Sequence, residues 1–327
     1  MILTRSLPRS ILRRPQGRLL LVAFALIWFA HCSFSSAVEK TSRSIERTSK
    51  SVVRQVTFSG GPYRHQVAVG GFQTIPQDPQ DKIKLHFERE VPAYLSKNCK
   101  GILMYAGGQQ SAPSLLTDPP RLVNGEIDAY GLSFIGRQLG INAYIVGSLQ
   151  SVRRVDELEG FLWNKETIQE VRIAVRFEVF QMLTATKILD SIYRRDVPIE
   201  ELSFEQGVAP AEQELPDLDQ ALSDILDEAG ADICDALLNE RWNGFITSVE
   251  GEKIIVSAGS RAGLKPGAKL KVIDSTQTLE GVDGQRFFQM GDDVATIEVV
   301  SVTDDRSEAR QIDGGQVKLG HSVRPAD

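Results

Sequence analysis

The sequence contains few of the residues from which catalytic and metal sites are usually built. Its 327 residues include three cysteines and four histidines, and it has no Gly-rich phosphate loop, G-x-S-x-G elbow, H-E-x-x-H or C-x-x-C motif. His65, His86 and His321 stand far apart, so we expect them at the surface or in caps. The 43 acidic residues guarantee chance carboxylate pairs, so no two-carboxylate hydrolase is indicated. We therefore expect a protein that is not an enzyme and holds no cofactor or metal.

The body of the chain also lacks an excess of positive charge. The formal net charge is −6, but residues 1–37 carry five arginines and no acidic residue. Without them, 32 basic residues stand against 43 acidic ones, a net charge of −11. Binding to phosphates needs clustered Lys and Arg, so nucleic acid is not expected as a partner, and no small-molecule substrate is indicated. The five arginines are Arg5, Arg9, Arg13, Arg14 and Arg18.

These arginines precede a short apolar run that is typical of an export signal. Residues 19–30 are twelve uncharged apolar residues, too few to span a hydrocarbon core of about 30 Å comfortably. Small residues then predict cleavage after Ala37, which defines a signal peptide over 1–37 and a flexible linker over 38–62. An uncleaved single-pass anchor remains the alternative. Lipidation of Cys32 is disfavoured because His31 precedes it.

Cleavage would leave two cysteines, Cys99 and Cys234, 135 residues apart. An oxidising compartment would allow them to pair, but sequence does not place their Cα atoms within the required ~4.4–6.8 Å. Cys234 lies on a helical pattern among apolar residues, as a small buried hydrophobic residue does. We expect two unpaired cysteines, with a disulfide as the alternative.

Residues 63–240 predict an αβ domain in which strands and helices alternate. Asp78-Pro79 would start the first helix, Pro92 would kink or end it, and Gly140 would close the second. This order implies helices packed on a sheet that is at least partly parallel. The predicted elements are a strand over 65–72, a helix after residue 79, a strand over 101–105, a helix over 126–139, a strand over 141–149 and a helix over 217–238.

The clearest alternation of apolar and polar residues lies between the last two of these elements. Residues 171–182 place five apolar side chains on one face and Arg172, Arg176 and Glu178 on the other. A turn at 184–187 would join this strand to a partner over 188–193 in a long antiparallel hairpin. Its polar face is either solvated or a candidate docking surface.

Residues 241–327 predict a second, all-β domain. Short β-type runs separated by Gly- or Asp-bearing turns indicate a small barrel, an SH3-like domain or a sandwich. Residues 281–290 are predicted to be a longer loop between two strands. The predicted strands are 244–249, 253–256, 268–273, 294–302 and 307–312.

One local pattern in this second domain is sharp. Residues 258–267 predict a tight structural turn, with glycines at positive φ and one apolar residue plugging the core. Such turns occur in PDZ-like domains and in β-barrel modules of secreted assembly proteins. The residues assigned to this structural turn are Gly259, Gly263, Leu264, Pro266 and Gly267.

The second domain resembles the C-terminal domain of the flagellar assembly protein T family. The resemblance is carried by the hairpin 245–256, the turn 259–267, the strands 270–273 and 295–302, and the closing segment 320–323. Residues 66–240 resemble the αβ domain shared by that family's middle region, the TolB N-terminal domain and curli-type secretion components. This second resemblance is carried by 67–72, 140–149 and the hairpin 171–193.

The fold expected is α+β, a mixed αβ domain with a long hairpin followed by a small β-barrel. The resemblance implies a periplasmic, non-enzymatic protein that assembles around the flagellar basal body or in association with the outer membrane. Its partners would be protein components of a flagellar or other envelope assembly, and it can form a homo-oligomer. One alternative is a PDZ-like, peptide-binding or protease-regulating module. Others are an accessory protein of outer-membrane secretion and a cell-wall hydrolase.

Overall fold

The structure is a computed structural model, which describes residues 63–74, 81–105, 118–161, 164–198 and 218–326. The predicted signal peptide, its cleavage at Ala37, the linker 38–62 and the helix start at Asp78-Pro79 lie outside the described residues. Gly60–Asp327 form one unit. The domain boundary expected at 240/241 remains a prediction.

A mixed five-stranded sheet organises the first part of this unit. Its strand order is β2-β1-β3-β4-β5, in which β1 pairs parallel with β2 and β3, and the other neighbours pair antiparallel. The partly parallel sheet expected from the alternating elements is confirmed. The elements are β1 (His65–Val69), α1 (Asp81–Asn98), β2 (Ile102–Met104), α2 (Ala129–Leu139), β3 (Ala143–Phe161), β4 (Asn164–Gln181), β5 (Thr186–Pro198) and α3 (Leu218–Leu238).

Helices cover both faces of this sheet. On one face, α1 and α3 pack together over Val67, Ile145 and Val179. On the other face, α2 packs over their neighbours in sequence, which include Ala68 and Tyr144. Neighbouring strand residues point to opposite faces, so both sides of these strands are buried where helices lie against them.

The ends of α2 follow from its sequence. The Asp128 carboxylate accepts hydrogen bonds from the backbone N–H groups of Tyr130 and Gly131, both at 3.1 Å. Gly140 caps the other end with φ 72°, as predicted. A Cβ on Gly140 would also lie 2.2 Å from the Ser257 carbonyl oxygen, so this position needs glycine for two reasons.

The expectation that the two cysteines stay unpaired is wrong. Cys99 and Cys234 form a disulfide with a Cα–Cα distance of 5.7 Å. Cys99 follows the last residue of α1 and Cys234 lies near the end of α3, and these two helices pack against each other. Tertiary packing therefore brings together two cysteines that are far apart in sequence.

Pro92 does not end α1, which continues to Asn98. Proline removes one backbone hydrogen bond, but Val91 and Leu95 on either side of it are buried in the core under the sheet. Their burial outweighs the missing bond, so the predicted early stop is wrong.

Two strands are longer than predicted. β3 was expected to end at residue 149 and runs to Phe161, and β4 begins at Asn164 rather than near 171. The two strands pair along their full length to Phe161↔Asn164. The predicted hairpin of β4 with β5 is confirmed, but the longest hairpin is that of β3 with β4.

The second part is a closed six-stranded barrel, in the order β11-β12-β7-β6-β13-β8. The predicted α+β fold with a small barrel is confirmed. Its core includes Ile254, Val272, Ile297 and Val323, all nearly fully buried. The strands are β6 (Gly244–Glu250), β7 (Lys253–Val256), β8 (Lys269–Ile273), β9 (Thr278–Glu280), β10 (Arg286–Phe288), β11 (Asp293–Val302), β12 (Ser307–Gly314) and β13 (Ser322–Pro325).

The segment predicted to be a loop over 281–290 contains structure of its own. β9 and β10 form a small antiparallel hairpin outside the barrel, closed by a 3-10 turn at Val282–Gly284. Phe288 explains why it is ordered, because its ring is buried and stacks on Tyr130 of α2 at 4.7 Å. The segment does connect two barrel strands, β8 and β11, as predicted, but it contains a hairpin that the sequence did not reveal.

Among the residues that the structure describes, no helix is both long and apolar enough to cross a membrane.

Candidate docking surface

The far end of the β3–β4 hairpin projects beyond its neighbouring strands. β5 pairs with β4 only as far as Glu170↔Pro198, and β1 pairs with β3 only over Ala143–Ile145. Beyond these limits, residues 156–161 and 164–169 pair only with each other among the described strands. We call this segment the arm. Six residue pairs span about 20 Å, and both of its edges offer backbone groups for hydrogen bonding.

The candidate docking residues lie on the sheet face opposite α1 and α3, next to the arm. Arg172 donates two hydrogen bonds to the carboxylate of Asp196 of β5, at 2.6 and 2.8 Å. Arg176 donates two to the carboxylate of Asp190 of β5, from Nε and Nη2, both at 2.6 Å. The alternation predicted for β4 is seen in the structure, since Val171, Val175 and their apolar partners are buried on the other face.

Each of these charges is compensated within the sheet. The hydrogen bond from Arg176 lowers the pKa of Asp190 to about 2, so this carboxylate stays ionised across the physiological range. Glu178 contacts Arg176 at 3.4 Å and Lys187 as well. Arg172, Arg176 and Lys187 form ion pairs with Asp196, Asp190 and Glu178, and these six charges cancel. A docking role for Arg172, Arg176 and Glu178 stays a prediction.

A cleft of about 510 Å³ opens beside this network. It lies between the sheet, the loop before α2 and the β9–β10 hairpin. Its charges are of both signs, which suits a polar surface of a protein partner more than one strongly charged ligand. Among the described residues no three His, Cys, Asp or Glu side chains group to hold a metal ion. The charged residues that line the cleft are Arg121, Glu126, Asp128, Arg176, Glu178, Lys187 and Arg286.

The structural turn lies at the end of β7 and leads into β8. Gly263 and Gly267 have φ of 96° and 85°, as predicted, whereas Gly259 has φ −129°. Leu264 is 2% exposed in the barrel core, and Pro266 precedes the glycine that leads into the strand. All five assigned residues therefore lie together in the turn between β7 and β8.

The histidines differ from expectation. His65 and His321 are buried, at 8% and 3% exposure, so neither lies at the surface. His321 accepts a hydrogen bond from the backbone N–H of Lys318 at 3.4 Å, as a capping residue does. Burial lowers the pKa of His65 to about 4, opposed in part by a hydrogen bond with the backbone of Glu240. Burial also lowers the pKa of His321 and of the half-buried His86. These side chains are neutral at pH 7 and belong to the packing of the fold.

The sheet and the barrel meet at a seam that sequence reasoning missed. Asn142 accepts a hydrogen bond from the backbone N–H of Gln66 at 2.7 Å and donates to the carbonyl of Asn243 at 2.6 Å. Trp242 stacks on Tyr63 and donates to the carbonyl of Arg64 at 3.0 Å. These bonds fix the barrel against β1 and β3.

Arg137 is the other residue that joins the two parts. It lies on the buried side of α2 and donates to the carbonyls of Met182, Leu183 and Ser275, the first at 3.0 Å and the last at 2.8 Å. Its guanidinium also lies 3.6 Å from the centre of the Phe288 ring. An arginine among the buried positions of an amphipathic helix is the signal that could have identified it.

Solved structures share only weak similarity with the chain. A hypothetical protein CT253 from Chlamydia trachomatis is 11% identical over 54% of this chain and 99% of its own, with a TM-score of 0.33. A PelC L103M dodecamer from Paraburkholderia phytofirmans is 10% identical over 54% and 90%, with a TM-score of 0.27. TolB from Acinetobacter baumannii is 10% identical over 78% and 62%, with a TM-score of 0.25. Values this low support no conclusion about this chain.

The barrel has a clearer relative in sequence. No curated protein is a significant match to the chain. Residues 251–318, which run from the β6–β7 turn to just before β13, match the family model described as flagellar assembly protein T, C-terminal domain, and this match confirms the resemblance expected from the turn and strands of the barrel.

Proposed function

We propose that the chain is an exported, non-enzymatic assembly protein of a bacterial envelope machine, associated with the flagellar basal body. The observation that carries the proposal is the match of residues 251–318 to the C-terminal domain of flagellar assembly protein T. A protein of this kind acts by binding other proteins. The partners proposed are protein components of that assembly and further copies of this chain.

Two independent features support export to the periplasm. The first 37 residues have the arginines and the short apolar run of a signal peptide. The disulfide between Cys99 and Cys234 adds to this, because such bonds persist in the periplasm and are rare in the reducing cytosol. The first feature lies outside the described residues and the second lies in the core, so neither depends on the other.

Counting thiols in the native cell tests export and cleavage together. Cells are denatured in a thiol-reactive polyethylene glycol maleimide, with and without prior reduction. An exported chain cut after Ala37 loses Cys32, so we expect no labelled thiol before reduction and two after it. A retained leader adds one thiol to each count. Free Cys99 and Cys234 before reduction would contradict export.

We assign partner binding to the arm and to the polar face beside it. Free strand edges bind other strands through backbone hydrogen bonds, and the arm has two such edges among the described strands. The polar face with Arg172, Arg176 and Glu178 would then contact a partner through groups already fixed by their neighbours. Less side-chain entropy is lost on binding when the side chains are held beforehand.

The assembly role is tested by crosslinking in envelope fractions followed by pull-down of the full chain. We expect a basal-body or outer-membrane component, or a multimer of the chain itself, to be recovered. A chain that stays monomeric when purified and recovers no such component would overturn the proposal. Zymography on peptidoglycan serves as the separate test for a cell-wall hydrolase, where a lysis band would count against a non-enzymatic role.

The PDZ-like alternative places a peptide groove within the barrel itself. Such a groove needs a helix beside a strand. In the described residues after Trp242 the helical segments are two 3-10 turns, Ser260–Ala262 and Val282–Gly284. A helix does lie beside a barrel strand, but it is α2, which contacts β6 from the sheet side of the seam.

A further inference from the structure

A groove of about 550 Å³ lies between α2 and β6, which we call the α2–β6 groove. Its walls are mostly apolar and include four aromatic rings. Phe134 and Leu319 at its mouth are 56% and 63% exposed, which is high for large apolar side chains that lie together. The volume falls in the range of ligand sites. The principal apolar side chains of the walls are Tyr130, Phe134, Phe245, Phe288 and Leu319.

Arg137 lines this groove and is only 6% exposed. Its partners among the described residues are three backbone carbonyls and the rings of Phe288 and Phe245, and none of these is a carboxylate. A guanidinium has five N–H groups, and these bonds occupy three. Burial lowers the pKa of Arg137 to about 10, so the group is still charged at neutral pH.

A purely structural role explains the three carbonyl bonds but leaves the charge without a counterion. Buried cations are almost always paired with an anion, because neutral dipoles offset only part of the lost hydration. The partly exposed Arg172 and Arg176 of β4 each have an aspartate as a partner. Arg137 differs from them in having an apolar groove where the anion would be.

We propose that the α2–β6 groove binds the C-terminal end of a partner polypeptide. The last side chain of the partner, an apolar one, lies among the aromatic rings, and its terminal carboxylate accepts hydrogen bonds from the remaining N–H groups of Arg137. This inference rests on the proposed role in assembly and names the chemistry of one partner.

A peptide fits the walls better than an alkyl chain does. Thr247, Ser248 and Gln138 border the groove with hydrogen-bonding groups, and Glu250 and Arg306 add one charge of each sign. A peptide backbone has N–H and C=O groups that need such partners, whereas the chain of a fatty acid would leave them unused. A fatty acid shares the apolar body and the carboxylate and is therefore the competitor in the test.

The test is a titration of the full chain, followed by fluorescence polarisation, with a labelled hexapeptide that ends in phenylalanine. The same peptide with an amidated C-terminus and sodium dodecanoate are the comparison ligands. We expect saturable binding of the free acid and at least tenfold weaker binding of the amide. Equal affinity for acid and amide, no saturation at millimolar peptide, or binding of dodecanoate alone would each overturn the proposal.

Two variants locate the site. Phe134→Ala removes an exposed ring, so it should leave the melting temperature unchanged and weaken peptide binding several-fold. Val300→Ala, at 51% exposure on the barrel strand β11, is the matched control and should change neither. Arg137→Gln should abolish the preference for the free acid, and Phe134→Ala keeps the test valid where Arg137→Gln does not fold. If Phe134→Ala binds as wild type does, the peptide lies elsewhere.

Failure here is distinguishable from failure of the proposed function. Peptide binding is measured on the isolated chain, whereas the assembly role is measured by thiol counts and pull-down from cells. If the chain enters the envelope assembly but does not bind the peptide, only the inference about the groove is overturned.

Discussion

The sheet and the barrel differ in whether the edges of their strands are paired. The barrel closes on itself, with each of its six strands paired on both sides. The sheet ends at β2 and β5 and extends into an arm with two unpaired edges among the described strands. Closure removes the backbone groups through which strands associate, and open edges present them. Among the described strands, open edges lie in the sheet and in the small β9–β10 hairpin, so strand-to-strand association would use these and not the wall of the barrel.

The sheet part and the barrel are also stabilised internally by different means. The sheet's helices α1 and α3 are joined by a disulfide over a sequence separation of 135 residues, whereas the barrel's two clearest supports are its closure and a core plugged by Leu264. The covalent link therefore lies in the part whose sheet has open edges.

Removing the disulfide should have the largest effect and should fall on the sheet. Cys99→Ala together with Cys234→Ala loses a link that, by chain entropy alone, contributes about 4–5 kcal/mol for a loop of this length. Denaturant unfolding measures the loss, with reduced wild type as the control. Hydrogen exchange should rise more in α1 and α3 than in the barrel strands. An equal rise in both parts would contradict the comparison.

Leu264→Ala should be the strongest single change in the barrel. Leu264 is 2% exposed, and truncating a buried leucine costs about 2–5 kcal/mol in lost contacts and cavity. Leu279→Ala, at 52% exposure in β9, is the matched control and should stay within about 0.5 kcal/mol of wild type. The free energy of unfolding in urea measures both. Similar losses for the two variants would show that Leu264 does not plug the core.

Acid should destabilise the sheet through His65. The folded pKa is about 4, below the ordinary value of 6.5, so the neutral form is favoured in the fold. The contribution of His65 to the free energy of unfolding is complete above pH 6.5. It falls by about 3 kcal/mol in all as the pH drops from 6.5 to 4. The free energies of unfolding of wild type and His65→Gln at pH 7 and pH 4 measure it. The variant should show a smaller acid loss, and identical losses would exclude His65 as the cause.

The smallest effect on stability is expected on the polar face. Arg172→Ala removes a partly exposed pair with Asp196 and should cost at most about 1 kcal/mol. The exchanged pair Arg172→Asp with Asp196→Arg keeps the ion pair and should restore stability. If this face docks a partner, the exchange should still reduce recovery of that partner from envelope fractions. Full recovery of the partner with the exchanged pair would mean that these charges stabilise the sheet and do not contact the partner.

Local patterns predicted the parts of the fold that depend on local physics. The apolar stripe of α3, the glycine that closes α2 and the turn at 258–267 are each set by residues within a few positions of one another. The polar face of β4 was also predicted, since strict alternation fixes which side chains share a side. Its pairing with β5 aspartates was not, because register depends on the turn.

The rest depended on contacts between distant residues. The disulfide follows from the packing of α1 on α3, which no pattern at Cys99 or Cys234 reveals. The arm was missed because residues 150–161 are rich in charged residues and show no alternation of apolar and polar residues. Arg137 was missed because its partners lie in the turn after β4 and in the segment after β8, far from it in sequence.

Site-specific photo-crosslinking in the native cell tests the central claim most directly, namely that the open sheet is the part that joins an envelope assembly. The crosslinker is placed at Arg153, exposed on β3 near the arm, and for comparison at Arg89, exposed on α1. We predict a discrete heavier adduct in the envelope fraction from position 153 and little or none from position 89. Monomer alone at position 153, or equal adducts from both positions, would contradict the account.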